Sequence, residues 1–146
     1  MLTIASPVFG NNGNMPARYT CDGENVSPPL IITSIPTSTQ SLALVVDDPG
    51  APSGNFTHWV LGNIAPEIHE IAENTVPPGA TEGVNSSGNI GYTGPCPSSG
   101  QHRYRFKIYA LDTVLETKQL MSQKHLEDAI HGHIIEWGMI TALYER

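Results

Sequence analysis

Cysteine and basic residues are scarce in this chain, and no apolar run is long. With 7 Lys plus Arg against 14 Asp plus Glu, the formal net charge is -7. That balance creates no attractive long-range field for phosphate backbones or anionic bilayers, which argues against nucleic acid and bulk membrane as partners. The only cysteines, Cys21 and Cys96, are too few for a disulfide framework and have no metal-ligand spacing. Two free thiols in a reducing compartment are therefore expected, with pairing of Cys96 to Cys21 as the alternative. No stretch approaches the roughly 18 apolar residues of a spanning helix. The start, Met1 to Pro7, has neither a basic region nor a long apolar one, so a soluble, cytoplasmic protein is expected unless a leader has been trimmed.

What is present is punctuation. The 14 Gly and 12 Pro are spread along the chain, separating many short elements rather than marking one linker. No internal repeat or domain boundary is visible, so residues 1–146 are read as a single domain, with 39% apolar residues to supply one core. Ser41 to Asp47 is a short, partly β-branched apolar run and reads as a central strand buried on both faces. Phe56 to Ile64 reads as the next strand, with Phe56, His58, Val60, Gly62 and Ile64 on one face by period-two counting. Further strands are expected at Leu2 to Ala5, Pro29 to Ile35, His102 to Leu111 and Met139 to Tyr144, and this rhythm favours a β-sandwich or barrel. In the His102 strand, His102, Tyr104, Phe106 and Ile108 share an apolar face, whereas Arg103, Arg105, Lys107 and Tyr109 form a cationic face expected to be wet.

One segment carries a different period. Between Ser122 and Gly138, residues Leu126, Ala129, Ile130, Ile134 and Trp137 recur at helical spacing, with Ser122 as N-cap and Gly138 as stop. His131 and His133 lie two apart and so do not share a helical face; they are read as structural or solvated.

Polar groups that end apolar strands supply the candidate chemistry: Asp47-Asp48-Pro-Gly-Ala-Pro52, His58, and the loop Gly94 to Tyr104. Each alone is ordinary turn or buried-polar chemistry. Together they form a set of donors and acceptors suited to a phosphate or carboxylate. A competing reading is a hydrolase that uses Asp48, His58 and His102 on a metal, or Cys96 with His102 as a thiol–imidazole pair.

The series Asp48-Pro-Gly-Ala-Pro52, His58-Trp-Val, Gly94-Pro-Cys-Pro and Gly100-Gln-His-Arg-Tyr104 resembles the phosphatidylethanolamine-binding protein family, which includes Raf kinase inhibitor protein, in its compact bacterial and archaeal branch. Arg18 to Pro29 and Tyr109 to Asp112 also resemble that branch, so the likeness covers nearly the whole chain. It implies a mostly β fold, an antiparallel sandwich with one α-helix in the C-terminal region and short peripheral helices. It also implies an anion pocket for phosphate, a carboxylate or a phospholipid headgroup, built from Asp48, Ala51, Pro52, His58, Gly94, Pro95, His102 and Tyr104. A protease or kinase partner follows from the resemblance alone, with Pro77 to Gly100 as a candidate inhibitory loop. No catalytic residue, metal or cofactor is assigned, and a homodimer through an exposed edge is left open. Gly50 replaces a second aspartate found in many relatives, which removes a carboxylate from the rim and is expected to loosen the turn.

Overall fold

In a computed structural model that describes residues 1–116 and 121–146, two sheets pack face to face around the core. The larger sheet is assembled from β2 (Gly13–Asn14), β4 (Ser41–Asp48), β5 (Phe56–Ile64), β7 (Thr81–Glu82), β8 (Gln101–Leu111) and β9 (Ile134–Glu145), in the order β2-β9-β8-β4-β5-β7. The smaller is β1 (Thr3–Ala5), β3 (Leu30–Thr33) and β6 (Glu70–Ile71), in the order β1-β3-β6. Strand pairing is antiparallel except where β2 runs parallel to β9. One 3-10 turn, Ala17–Tyr19, and one helix, α1 (Gln123–Ile130), complete the elements among the described residues. The mostly β sandwich expected from the sequence is thus observed. No described helix is long and apolar enough to cross a membrane.

β4 is central because every one of its residues is buried. Leu42, Leu44 and Val46 enter the inter-sheet core with Trp59, Leu61, Tyr104, Phe106 and Ile108, while Ala43 and Val45 pack on the opposite side with Leu126 and Ile130 of α1. Burying two faces of one strand requires a cover on each, and α1 is the second cover. This corrects the expectation of a wet cationic face on β8 at Lys107 and Arg105, whereas Arg103 is exposed as expected. Lys107 is only 7% exposed and donates from Nζ to Asp47 Oδ2 at 3.0 Å, while Arg105 donates to both Asp47 oxygens at 2.8 and 2.9 Å. Burial would raise the Asp47 carboxyl, but hydrogen bonds from Arg105, Gln123 and Lys107 outweigh it and hold the group below its ordinary range.

The predicted helix is correct at its start and too long at its end. Ser122 caps it, accepting from the His125 backbone N–H, as Ser at an N-cap does. Gly132 then takes φ +83°, and Ile134 to Trp137 join β9, with Trp137 opposite Tyr109 and Ile134 opposite Leu111. A left-handed glycine ends the helix, and the β-branched pair after it gains a full ladder with β8. Gly138 is therefore not a helix stop. A Cβ there would lie 2.7 Å from the Leu2 carbonyl oxygen, so the glycine permits β1 to cross over β9. His133 pairs with Asp112 at 2.8 Å on the surface, in keeping with a solvated role.

Candidate functional site

The ends of β4, β5 and β8 open into a cleft of about 350 Å³ lined by Asp48, Ala51, Pro52, His58, Gly94, His102 and Tyr104, together with Phe56, Thr93, Cys96, Pro97 and three serines, Ser53, Ser87 and Ser98. Of the residues expected at the site, only Pro95 lies outside the lining; its carbonyl accepts the Cys21 backbone N–H.

His58 reaches the cleft by a device that period-two counting misses. Val46 pairs with Trp59 and Asp47 with Thr57, so one step on β4 spans two on β5 and His58 is the extra residue of a β-bulge. A bulge re-aims side chains. His58 consequently faces the cleft while its neighbour Trp59 enters the inter-sheet core, and the expected face-sharing of His58 with Val60 does not hold, because Val60 lies under α1.

The two histidines are fixed in the same manner. His58 Nδ1 donates to the Thr93 carbonyl at 2.6 Å, and His102 Nδ1 donates to Asp48 Oδ2 at 2.6 Å. Engaging Nδ1 in each ring leaves Nε2 for a ligand. The Tyr104 ring lies beside both imidazoles, with centroids 5.2 Å from His58 and 6.4 Å from His102. Burial, then the Asp48 and Tyr144 charges, push the Tyr104 hydroxyl well above its ordinary value, so it stays a neutral donor. Phe56 packs on His58 with centroids 4.7 Å apart, adding an apolar side to the cleft.

Asp48 is nearly buried, and its second oxygen accepts the Gly50 N–H at 2.9 Å. Asp48 therefore orients His102 and closes its own turn, and the turn at Gly50 is held rather than loose. Gly94 has a different task from the one expected. Its N–H donates to Asn25 Oδ1 at 2.8 Å and is not aimed at a ligand. A Cβ there would meet the Tyr19 carbonyl oxygen at 2.2 Å, so glycine permits the cleft wall to lie against the 17–25 loop. Nor is Pro77 to Gly100 an open loop, since buried Asn85 bonds the Gly91 carbonyl and accepts from Ser87 and Asn89.

The cysteines overturn the free-thiol expectation: Cys21 and Cys96 form a disulfide. Two cysteines 75 residues apart gave no local signal of pairing; the packing of the Gly94 wall on the 17–25 loop brings them together. Cys96 is thus not a thiol partner for His102. Among the described residues, no group of three His, Cys, Asp or Glu side chains could hold a metal ion, so the hydrolase readings gain nothing from this geometry.

His58 carries a pH consequence. Burial lowers its pKa below the ordinary 6.5, against smaller raising effects of the Thr93 carbonyl, Asp48 and Asp47. A depressed folded value means the unfolded chain binds the proton more readily, so this group's contribution is present above pH 6.5 and is lost as pH falls from there through the folded value. His58→Asn, which keeps a donor near Thr93 but cannot titrate, is expected to flatten the stability difference between pH 7.5 and pH 5.5. Urea unfolding at the two pH values checks it; an unchanged slope would show that His58 does not titrate in this way.

Two oriented imidazoles beside a tyrosine thus sit at the strand ends of a β-sandwich. The family model for phosphatidylethanolamine-binding protein matches residues 5–145, and the chain belongs to that family. It is 45% identical to a UPF0098 protein of Methanothermobacter thermautotrophicus, over 99% of each chain. Among solved structures, it is similar to a phosphatidylethanolamine-binding protein homologue from Chlamydia trachomatis, with a TM-score of 0.95 at 35% identity, covering 99% of this chain and 97% of that one. It is also similar to E. coli YbcL, a member of the mammalian PEBP family, with a TM-score of 0.93 at 27% identity, covering 99% and 98%.

Proposed function

We propose that the cleft binds a small oxyanion, such as phosphate, a carboxylate or a phosphorylated headgroup, between His58 and His102. The observation that carries this reading is the shared tether: each ring spends Nδ1 on a protein acceptor and keeps Nε2 for the cleft. In its imidazolium form each ring gives a charge-assisted N–H bond, and Tyr104 adds a neutral donor. Among the described residues, no lysine or arginine lines the cleft, and the chain's net charge of -7 opposes anions at long range. Burial holds the His58 pKa below its ordinary value, so proton uptake by that ring accompanies binding and affinity rises as pH falls. Phe56, Pro52 and Pro97 provide a surface for the apolar part of a ligand.

Calorimetric titration with phosphate, phosphoethanolamine and acetate at pH 6 tests this. His102→Ala is expected to weaken binding by about tenfold or more, the loss of one charged hydrogen bond. Equal affinity of the variant and the wild type would remove His102 from the site.

A further inference from the structure

The Cys21–Cys96 bond sits where chemistry can reach it. Both cysteines are exposed, Cys96 lines the cleft, and the bridge is the covalent tie between the cleft wall at 94–98 and the 17–25 loop. The Arg146 guanidinium lies over it, with Nη1 3.4 Å from Cys96 Sγ and 3.7 Å from Cys21 Sγ. Arg146 is held there by Asp22, 3.3 Å from Nη2, and by two backbone hydrogen bonds with Gly100. Exposed disulfides are the labile ones, and a cation beside sulfur favours the thiolate.

We propose that this bond is a site of reversible thiol–disulfide exchange with a dithiol reductant, and that its state sets the geometry of the cleft wall. A thiolate of the reductant attacks Cys96 Sγ. A new S–S bond forms as the Cys21–Cys96 bond breaks, and Cys21 leaves as a thiolate beside Arg146. The reductant's second thiolate then attacks the mixed disulfide, releasing Cys96 and leaving the reductant as its own disulfide. Two electrons and two protons pass from the dithiol to the protein. Without the bridge, the 94–98 wall keeps the Gly94–Asn25 and Cys21–Pro95 hydrogen bonds and moves relative to His102 and Tyr104. Exchange stands independently of any ligand, whereas its effect on affinity rests on the anion-binding reading.

The test treats folded, oxidised protein with increasing dithiothreitol, counts alkylated cysteines by mass, and follows the His58 and His102 imidazole resonances without ligand. Both cysteines are expected to alkylate while the circular dichroism stays native, the His102 resonance to shift reversibly, and Cys21→Ser/Cys96→Ser to reproduce the reduced spectrum. Arg146→Gln is expected to slow reduction about tenfold by removing the cation from the leaving thiolate. A bond that opens only together with unfolding, or imidazoles identical in both redox states, overturns the proposal. Phosphate titrated into each state separates the two readings: several-fold weaker binding after reduction supports the coupling, and equal binding overturns it. If phosphate perturbs neither state, the anion reading fails, while alkylation and the ligand-free spectra still decide the exchange.

Discussion

Asp47→Ala is expected to lower stability by about 3–5 kcal/mol, the range for removing one partner of a buried charge pair. Asp47 is fully buried and Lys107 nearly so, and the carboxylate accepts from Arg105, Lys107 and the Gln123 side-chain amide. Removing it leaves the Lys107 ammonium buried without the carboxylate that it bonds. The damage should also reach the cleft. Gln123 Oε1 accepts from Thr57 Oγ1 at 2.6 Å and Asn55 Nδ2 at 3.1 Å, so the same amide that holds Asp47 also holds the start of β5 just before His58. Chemical denaturation of Asp47→Ala beside Asp47→Asn measures the effect. A loss below about 1 kcal/mol would mean the pair behaves as an exposed one.

Gly94→Ala is the second large effect. The new Cβ would lie 2.2 Å from the Tyr19 carbonyl oxygen, 2.5 Å from Asn25 Oδ1 and 3.0 Å from Thr20 Cα. Two of those three atoms belong to backbone, so no side-chain rotation removes the overlap and the wall must part from the 17–25 loop. Overpacking of this kind costs about 1–3 kcal/mol, occasionally more, and it displaces the wall that carries Cys96 and Pro97. Weaker phosphate binding should therefore accompany the lower unfolding midpoint. Gly50 is the contrast: a Cβ there meets only Asp48 Oδ1 at 3.5 Å, and Gly50→Ala should change stability by less than about 0.5 kcal/mol. Gly50→Asp adds a carboxylate next to Asp48 and the cleft-lining Ala51. It should weaken oxyanion binding by roughly fivefold, from about 1 kcal/mol of repulsion at a solvated distance near 4 Å. If Gly94→Ala matched Gly50→Ala in both stability and binding, the tight contact would carry no energetic weight.

The parts of the fold that the sequence revealed are those set by local pattern. The apolar run of β4 announced a strand covered on both faces, and alternation along β8 separated His102, Tyr104, Phe106 and Ile108 from the residues facing α1. The Asp48, His58 and His102 set also came together as the motifs implied, with Asp48 on His102. What stayed hidden depends on contacts distant in sequence. The bulge at His58 is a property of pairing with β4, the change from helix to strand after Gly132 depends on a ladder to β8, and the disulfide depends on two loops meeting. The cationic stripe of β8 looked solvated because its counter-ion lies on β4 and its lid on α1. Thr93 offered no signal at all, since its part is played by a backbone carbonyl.

In the proposed site, His58 and His102 present their Nε2 atoms to one bound oxyanion. Following both imidazole resonances by NMR while phosphate is added at pH 6 tests it most directly. Both are expected to move together and saturate with one affinity, and His102→Ala is expected to shift the His58 response to about tenfold higher phosphate or beyond; saturation with neither imidazole perturbed, or with His58 unaffected while His102 shifts, would contradict it.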